Sequence, residues 1–520
     1  MNQLAGRNKY LEFIKSETGI ILIFVFIKFL IHFYTNLFEG YGIFRDELYY
    51  LSCASRPALG YVDQPPLSIW FLGLYRGVFG DSLFAIRMVP TIIGALTVWI
   101  TGRITQKMGG GRMALFISLT AVLLAPIYLG MNSYYSMNSF DIFLWALTFY
   151  FMVRLSEEYS IKLWVILGMV LGLGLMNKIS FLWLGFGIFH SYMIITRGKI
   201  FLKKGIWLTA LISGALFLPF IIWNLQHDMA HWEFLKNARA IKYAGITRMD
   251  FIKDIFLILN PLSTLIWIPG CLWFFFKRQK REIRIIGLTV IFVITILLIN
   301  GKSKAEYVAA AMIPLFAAGG LFYEQLSRPV LKQMLAWGVG ASVFISGIIL
   351  APIALPILPV ERFISYSQAL GVSSPSPEGK QLASLPQFYA DMHGWEQMAE
   401  NVSKVYLTIP EAEREKTIVW GDNYGRAGAM EYYSDQYPLP RAVSPHNSFW
   451  MWGYGDEEIK HVIIIGGNEE DHKKSFNTVN AVLIHEAKYA IPYENNLTIY
   501  LCSDPKVTIK DIWEKLKHYQ

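Results

Sequence analysis

Three carboxylates lie close together in the sequence between the first two strongly apolar segments. Asp46 and Glu47 stand side by side in RDELYY, and Asp63 follows in GYVDQPPL. Carboxylates beside a bilayer are costly unless they are solvated, paired or used in function. A carboxylate in such a loop could act as a general base toward a hydroxyl group. Asp46 and Glu47 are therefore the candidate catalytic residues.

The same acidic residues also fit two other roles. Asp46 could be a helix N-cap, with Glu47 in the first turn of that helix. Two loop carboxylates could instead share a divalent cation, because hard cations prefer oxygen ligands. His227 and His231 are four residues apart, which would put both on one helix face. They could join a metal site there, or serve only the structure.

The segments before and after these residues are predicted to be membrane helices. The chain has 520 residues, of which 54% are hydrophobic and only 17% charged, whereas ordinary soluble domains have about 25% charged residues. This composition indicates an integral membrane protein with some soluble mass attached. The net charge of +8 lies mostly in short basic clusters, so no nucleic-acid partner is expected. Three cysteines provide no disulfide framework.

About eleven segments have the length and apolarity of bilayer-spanning helices. Arg7, Lys9 and Lys15 precede the first segment, which is predicted to be an uncleaved signal anchor. The predicted spans are 18–36, 82–101, 113–130, 138–154, 162–177, 179–196, 205–224, 256–276, 284–300, 306–323 and 333–353.

The basic residues predict how these spans are oriented. With the N-terminus inside, the inside segments carry about 19 lysines and arginines, against about 3 in the short loops opposite. The inside clusters after the N-terminus lie at 103–112, 154–162, 197–204, 277–284 and 328–332. This orientation puts the first outer loop (37–81), the loop 225–255 and the C-terminal region on the extracytoplasmic side of a cell (inner) membrane.

The C-terminal part of the chain has the composition of a soluble domain. Residues 352–386 are rich in proline and serine, which is typical of a linker. We therefore predict a polytopic α-helical domain at 1–355 and an extracytoplasmic α/β domain at 356–520. Predicted strands lie at 417–422, 461–467, 481–487 and 496–502, with helices at 393–406 and 508–518.

The glycines of this domain do not form a nucleotide-binding motif. DNYGRAG lacks the strand-then-helix spacing of a phosphate loop, so Gly421, Gly425 and Gly428 are predicted to serve turns. Neither a P-loop nor a Rossmann glycine pattern occurs elsewhere, so no nucleotide cofactor is expected.

Several motifs together resemble those of the GT-C glycosyltransferases. RDELYY and GYVDQPPL are the most specific, and NSFDIFLWAL, GLGLMNKISFLWL, WNLQHD and GKSKAEY extend the likeness along most of the chain. The chain most resembles dolichyl-phosphate-mannose protein mannosyltransferase-like proteins and the lipid A aminoarabinose transferases. DNYGRAGAMEYY and SPHNSFWMWG resemble a tail found in a bacterial subgroup of these enzymes.

The resemblance implies an enzyme that moves a sugar from a polyprenyl-phosphate carrier to an extracytoplasmic hydroxyl, with inversion. The acceptor would be a glycan, lipid or protein of the cell envelope. Asp46 would be the catalytic carboxylate, while Asp63 and Gln64 would orient the substrate. Asp63 and His227 would hold a divalent metal cation if one is used. Gln64 stands where the aminoarabinose transferases have a lysine, so the donor phosphate must be bound by other residues.

A leaving phosphate needs cationic or hydrogen-bonding partners near the membrane surface. Lys178, Lys302, Lys304 and Tyr307 are the candidate donor-phosphate-binding residues, since they lie on or beside predicted outer loops and lysine binds phosphate well. Snorkelling toward the interface explains the same lysines without a function. Asp141, inside the fourth span, must face protein or water; it is expected to orient the substrate or to pair with Lys178.

A membrane transporter or lipid flippase is the main alternative function. Such a protein is expected to carry charges deep within its spans and paired interrupted helices, whereas the unusual polar residues here cluster in outer loops. A non-catalytic scaffold is a second alternative. A phosphoethanolamine-type transferase is disfavoured, because the C-terminal domain offers no nucleophilic threonine or serine with a metal cluster.

Overall fold

The structure is a computed structural model. It describes residues 16–38, 41–276, 279–326, 329–372, 381–455 and 458–520. Six basic residues that entered the orientation argument lie outside the described residues, namely Arg7, Lys9, Lys15, Lys277, Arg278 and Arg328.

The chain forms two compact units. The first, which we call the membrane unit, contains the described residues within Met1–Glu39, Asp81–Ile222 and Ile246–Leu358. The second, which we call the outer unit, contains those within Gly40–Gly80, Trp223–Gly245 and Pro359–Gln520. The outer unit is therefore larger than the predicted domain 356–520, because two earlier segments of the chain fold with the C-terminal one.

Seven helices among the described residues are long and apolar enough to cross a membrane. They are Glu17–Phe38, Leu83–Lys107, Met137–Glu157, Lys204–Gln226, Arg281–Asn300, Ala305–Glu324 and Pro329–Ala354. The helices Arg248–Ile258 and Pro261–Trp273 meet the same test together, but the chain bends by 92° between them. Shorter apolar helices are Leu67–Phe79, Arg112–Leu124, Ile161–Asn177 and Phe181–Thr196.

The observed helices differ from the predicted spans where the sequence is interrupted. Pro126 starts a separate short helix, Pro126–Gly130, so the predicted span 113–130 is broken. Leu67–Phe79 is an apolar helix that the prediction omitted. Val360–Ala369 is a helix with Phe363 buried, so this part of the predicted linker is ordered structure. Residues 373–380 of that linker lie outside the described residues.

The helix Ala309–Glu324 forms the centre of the membrane unit. Its sequence is rich in alanine and glycine, and nearly every residue is buried. An added Cβ at Gly319 or Gly320 would collide with the backbone of Ile266 or Ala114, and one at Gly270 with that of Leu315. Small residues let helix backbones approach this closely, which is how helices commonly associate in membranes.

The outer unit contains a five-stranded sheet. The strands are β1 Thr417–Trp420, β2 Arg441–Val443, β3 His461–Ile465, β4 Phe476–His485 and β5 Leu497–Pro505. Their order in the sheet is β2-β1-β3-β5-β4; β1 pairs in parallel with β2 and β3, and β5 pairs antiparallel with β3 and β4. The α/β class is thus confirmed, and only the short strand β2 escaped prediction.

Helices surround this sheet and include the parts of the unit that come from earlier in the chain. The helix Arg45–Ala54, called the first-loop helix below, packs on the helix Tyr424–Tyr432, called the tyrosine helix. The other helices are Leu67–Phe79, Ala230–Ala240, Val360–Ala369, Gln387–Ala390, Trp395–Leu407, Glu411–Arg414, Ser448–Trp452, Glu469–Ser475 and Ile509–Leu516.

The two glycines of the tyrosine helix allow this packing. A Cβ at Gly428 would lie 3.0 Å from Leu48 Cβ, and one at Gly425 would lie 2.6 Å from Arg45 Cγ. The prediction that Gly425 and Gly428 serve turns is therefore wrong. They lie inside a helix, where the missing side chain admits a neighbouring helix.

Candidate active site

Asp46 and Glu47 have different environments in the first-loop helix. Glu47 is fully buried, and its Oε2 accepts a hydrogen bond from the Phe44 backbone N–H at 2.9 Å. This contact satisfies one of the free donors at the helix N-terminus. Asp46 is the exposed member, with 38% of its side chain accessible, while the residues from Glu47 to Cys53 are buried. Only Asp46 therefore offers a carboxylate to a substrate.

The Asp46 carboxylate is held by a residue from the C-terminal part of the chain. The Tyr424 hydroxyl donates a hydrogen bond to Asp46 Oδ1 at 2.8 Å. Arg45 Nε lies 3.6 Å from the same oxygen, and the Arg45 guanidinium lies 5.5 Å from the centre of the Tyr424 ring. Arg45 Nη2 also lies 3.5 Å from Asp391 Oδ2.

The sheet fixes the position of Tyr424. The tyrosine helix follows the carboxyl end of β1, and the Asn423 side chain caps it by accepting hydrogen bonds from the N–H groups of Gly425 and Arg426. Arg426 Nε donates to Glu494 Oε2 at 2.7 Å, and its Nη1 donates to the Ile465 carbonyl at the end of β3. This buried pair ties the start of the helix to the sheet.

Asp63 is held in a similar way by a second tyrosine. The Tyr49 hydroxyl lies 2.8 Å from Asp63 Oδ1 and 2.8 Å from Ser448 Oγ, which in turn accepts a hydrogen bond from the Val62 N–H. Burial raises the pKa of the Asp63 carboxyl to about 6, although the hydrogen bond from Tyr49 lowers it in part. The neighbouring Gln64 is fully buried, and its side-chain amide has no partner among the described residues.

His227, in WNLQHD, and His231, four residues later, have separate surroundings. His227 stacks on Trp223, and its Nδ1 lies 2.7 Å from the Trp223 carbonyl. His231 Nδ1 lies 2.9 Å from the carbonyl of Val62, the residue before Asp63, and burial lowers the pKa of His231 to about 4. Among the described residues, no group of three or more His, Cys, Asp or Glu could hold a metal ion. A cation held by Asp63 and His227 therefore stays a prediction.

A polar cavity of about 200 Å³ adjoins Tyr424 within the outer unit. Its lining includes Arg45 and Lys242, and burial lowers the pKa of the lining residue His446 to about 3. The other lining residues are Asp422, Asn423, Arg426, Tyr493, His518 and Gln520. The sequence alone predicts none of the lining residues as a site residue.

A second group of predicted site residues lies in the membrane unit. Lys178 Nζ donates to Asn138 Oδ1 at 2.7 Å and lies 3.9 Å from Asp141 Oδ2, while Ser180 Oγ donates to Asp141 Oδ1. The Lys178 ammonium also lies 5.0 Å from the centre of the Tyr307 ring. The structure thus brings three of the predicted residues together, Lys178, Asp141 and Tyr307, and we call this group around Lys178 the lysine cluster.

The other two predicted lysines lie on the loop that leads to Tyr307. Lys302 Nζ donates to the Ile246 carbonyl at 3.2 Å, and Lys304 Nζ lies 3.8 Å from Glu306 Oε1. The 3₁₀ helix Ala305–Val308 follows and places Tyr307 over Lys178. Lys304 keeps its side chain 16% exposed, so a charged group could still reach it.

The sequence contained a signal for Tyr424 that residue type alone did not reveal. The tyrosine of DNYGRAG is one of many aromatic residues in this domain, and its residue type does not mark it as a site residue. The clue is the spacing: a capping asparagine directly after a strand makes the next residue the first of a helix. Such a residue lies at the carboxyl end of a parallel strand, where α/β sheets commonly form sites.

Comparison with known proteins places the chain among glycosyltransferases. A family model described as dolichyl-phosphate-mannose-protein mannosyltransferase matches residues 63–223. The lipid A galacturonosyltransferase RgtD of Rhizobium johnstonii (strain DSM 114642 / LMG 32736 / 3841) is 24% identical over 64% of this chain and 70% of its own. An undecaprenyl phosphate-alpha-4-amino-4-deoxy-L-arabinose arabinosyl transferase of Pseudomonas fluorescens is 24% identical over 72% of this chain and 70% of its own.

A solved structure has the same fold. The crystal structure of ArnT from Cupriavidus metallidurans bound to undecaprenyl phosphate aligns with 93% of this chain and 98% of its own, with a TM-score of 0.61 and 11% identity. The fold and the related sequences define a membrane glycosyltransferase of the GT-C class, and the transporter alternative is set aside. Within that class, the chain is similar to the galacturonosyltransferase and the arabinosyl transferase named above.

Proposed function

We propose that the protein transfers a sugar from a polyprenyl-phosphate donor to a hydroxyl of an extracytoplasmic acceptor. The observation that carries this proposal is the environment of Asp46, an exposed carboxylate on an otherwise buried helix, held in place by Tyr424. The relatives act on undecaprenyl-phosphate sugars or on lipid A by their names, which supports the same classes of donor and acceptor here.

The proposed reaction is a single displacement with inversion at the anomeric carbon. Asp46 takes the proton of the acceptor hydroxyl as its oxygen bonds to the anomeric carbon. The bond between that carbon and the phosphate oxygen breaks, and polyprenyl phosphate leaves with the bonding electrons. An exposed carboxylate with a fixed orientation suits this task, since a general base must lie within hydrogen-bond reach of its proton.

The lysine cluster is the proposed site for the donor phosphate. An ammonium group stabilises the charge that develops on the leaving phosphate. Lys178 already lies against Asn138, Asp141 and Tyr307, so it would meet the phosphate with little loss of side-chain freedom. Lys302 and Lys304 are proposed as further contacts of the donor, and Asp141 as the residue that orients Lys178.

The remaining acidic and polar residues have supporting roles in this proposal. Asp63 and Gln64 orient the substrate next to the first-loop helix. Glu47 caps that helix through the Phe44 N–H and takes no part in the proposed chemical step. The active site is proposed to face the extracytoplasmic side of the cell (inner) membrane, where lipid-linked sugars meet their acceptors.

Replacing Asp46 tests the function. Asp46→Asn keeps the hydrogen bond from Tyr424 but cannot take a proton, so transfer should fall by at least about 100-fold while the thermal midpoint stays the same. The assay incubates protein in nanodiscs with a mixed pool of undecaprenyl-phosphate-linked sugars and a cell-envelope lipid extract, and products are identified by mass spectrometry. Asp435→Asn, at an exposed position of the same unit, is the matched control and should match the wild type. Near wild-type transfer by Asp46→Asn would remove Asp46 from the mechanism.

A further inference from the structure

Both loop carboxylates of the outer unit receive hydrogen bonds that depend on its C-terminal segment. Tyr424 contacts Asp46 directly, whereas Ser448 contacts Asp63 through Tyr49. The rings of Tyr49 and Tyr424 also pack on each other, with their centres 4.8 Å apart. The segment 359–520 thus contacts Asp46 directly and supports Asp63 through Tyr49.

We infer that Tyr424 is a positioning residue that fixes the orientation of the Asp46 carboxylate, so that the C-terminal segment completes the active site. This inference rests on the proposed function, in which Asp46 is the base. It assigns the C-terminal segment a part in the chemical step, beyond any part in binding an acceptor.

The surroundings of Tyr424 make it a rigid support. Its side chain is 7% exposed, and its ring packs against those of Tyr49 and His446, with both ring centres 4.8 Å away. Asn423 caps the helix that it begins. A buried side chain packed against two rings loses little further freedom when its hydroxyl donates a hydrogen bond.

Asp46 needs such a support because its position on the helix surface would not by itself fix the conformation of its side chain. Its side chain is 38% exposed on the helix surface, and a carboxylate there can rotate among several staggered conformations. A base that samples several conformations spends less time in the productive one, and small misplacements of catalytic groups can cost about 100-fold in rate.

A purely structural role of Tyr424 makes a different prediction. If its hydroxyl only joined the tyrosine helix to the first-loop helix, its loss would lower thermal stability and leave the remaining folded protein fully active. A positioning role lowers kcat and leaves the KM of the donor nearly unchanged. These readouts separate the two roles.

The test is Tyr424→Phe, which retains the ring packing and removes only the hydroxyl. In the nanodisc assay with undecaprenyl-phosphate-linked sugars and envelope lipid extract, kcat should fall about 10- to 100-fold. Tyr432→Phe, at the other end of the same helix, is the control and should match the wild type. An unchanged kcat in Tyr424→Phe would overturn the inference.

A double variant shows whether Tyr424 acts through Asp46. If it does, Asp46→Asn combined with Tyr424→Phe should transfer sugar no more slowly than Asp46→Asn alone, because residues that act as a unit have non-additive effects. Independent, multiplicative losses would overturn the inference. If Asp46→Asn is fully active, the proposed function fails instead. If Asp46→Asn is inactive and Tyr424→Phe is fully active, only the positioning role fails.

Discussion

At the scale of single residues, burial distinguishes side chains that the sequence presents as equivalent. Asp46 and Glu47 are adjacent acids in one motif, yet the first is exposed and the second is fully buried against the start of its own helix. A buried carboxylate that accepts a backbone N–H is a structural group, whereas an exposed one with a fixed orientation can meet a substrate. By residue type, Asp46 and Glu47 are equal candidates for the general base. Their burial in the folded protein distinguishes them.

Asp63 should make the stability of the protein depend on pH in a defined window. In the folded protein its pKa is about 6, against about 4 in an unfolded chain. Between these values the folded protein holds a proton that the unfolded chain has lost, so Asp63 lowers stability progressively as the pH rises from about 4 to 6. Asparagine does not ionise. The thermal midpoint of Asp63→Asn relative to the wild type, measured in detergent, should therefore rise across this window.

The control for this measurement is Asp435→Asn, because Asp435 is an exposed acid in the same unit. The difference in midpoint between this control and the wild type should stay constant from pH 4 to pH 7. Curves for Asp63→Asn and the wild type that run parallel over the same range would show that the Asp63 carboxyl titrates as in the unfolded chain.

At the scale of elements, the contact between the first-loop helix and the tyrosine helix brings Asp46 to Tyr424. Two glycines one helical turn apart, Gly425 and Gly428, leave room for Arg45 and Leu48 at this crossing. The distance between the two helices thus depends on the absence of side chains. The hydrogen bond of 2.8 Å from Tyr424 to Asp46 would not survive a shift of the tyrosine helix by an ångström or more.

Filling this crossing should therefore affect both stability and transfer. Gly428→Val places methyl groups against Leu48, and overpacking of this kind costs about 1–3 kcal/mol. We expect a lower thermal midpoint and a lower kcat than in the wild type. Gly77→Val is the control, because Gly77 also lies in a helix of the outer unit but has nothing within 4 Å of an added Cβ. Equal midpoints and equal kcat values for the two variants would contradict the proposed helix contact.

Elements with strong periodic or apolar patterns could be predicted from the sequence, while their partners could not. Four of the five strands and all seven long apolar helices match predicted segments. The α/β tail was visible because its composition changes, but the sequence did not show that 41–80 and 223–245 fold with it. Contacts such as Tyr424 with Asp46 join residues 378 positions apart. Tertiary packing determines which distant residues meet, and the local patterns of a single sequence do not predict such pairs.

At the scale of the whole molecule, the outer unit is assembled from three separate parts of the chain. Gly40–Gly80 and Trp223–Gly245 are each flanked by apolar helices of the membrane unit, and Pro359–Gln520 follows the last of them. All three parts must therefore emerge on the same side of the membrane for the unit to form. This requirement is independent of the basic residues and agrees with the orientation that they predict.

The orientation can be tested by labelling single cysteines in a chain whose native Cys53, Cys271 and Cys502 are replaced by alanine. Gln436→Cys is exposed in the outer unit, and Lys199→Cys is exposed in a basic inside cluster of the membrane unit. A membrane-impermeant maleimide applied to intact spheroplasts should label the first variant and leave the second unlabelled, because basic loops stay in the cytoplasm. Permeabilised spheroplasts, in which both should react, control for accessibility. The reverse pattern would place Asp46 on the cytoplasmic side, where the proposed acceptors are absent, and would contradict the proposed function.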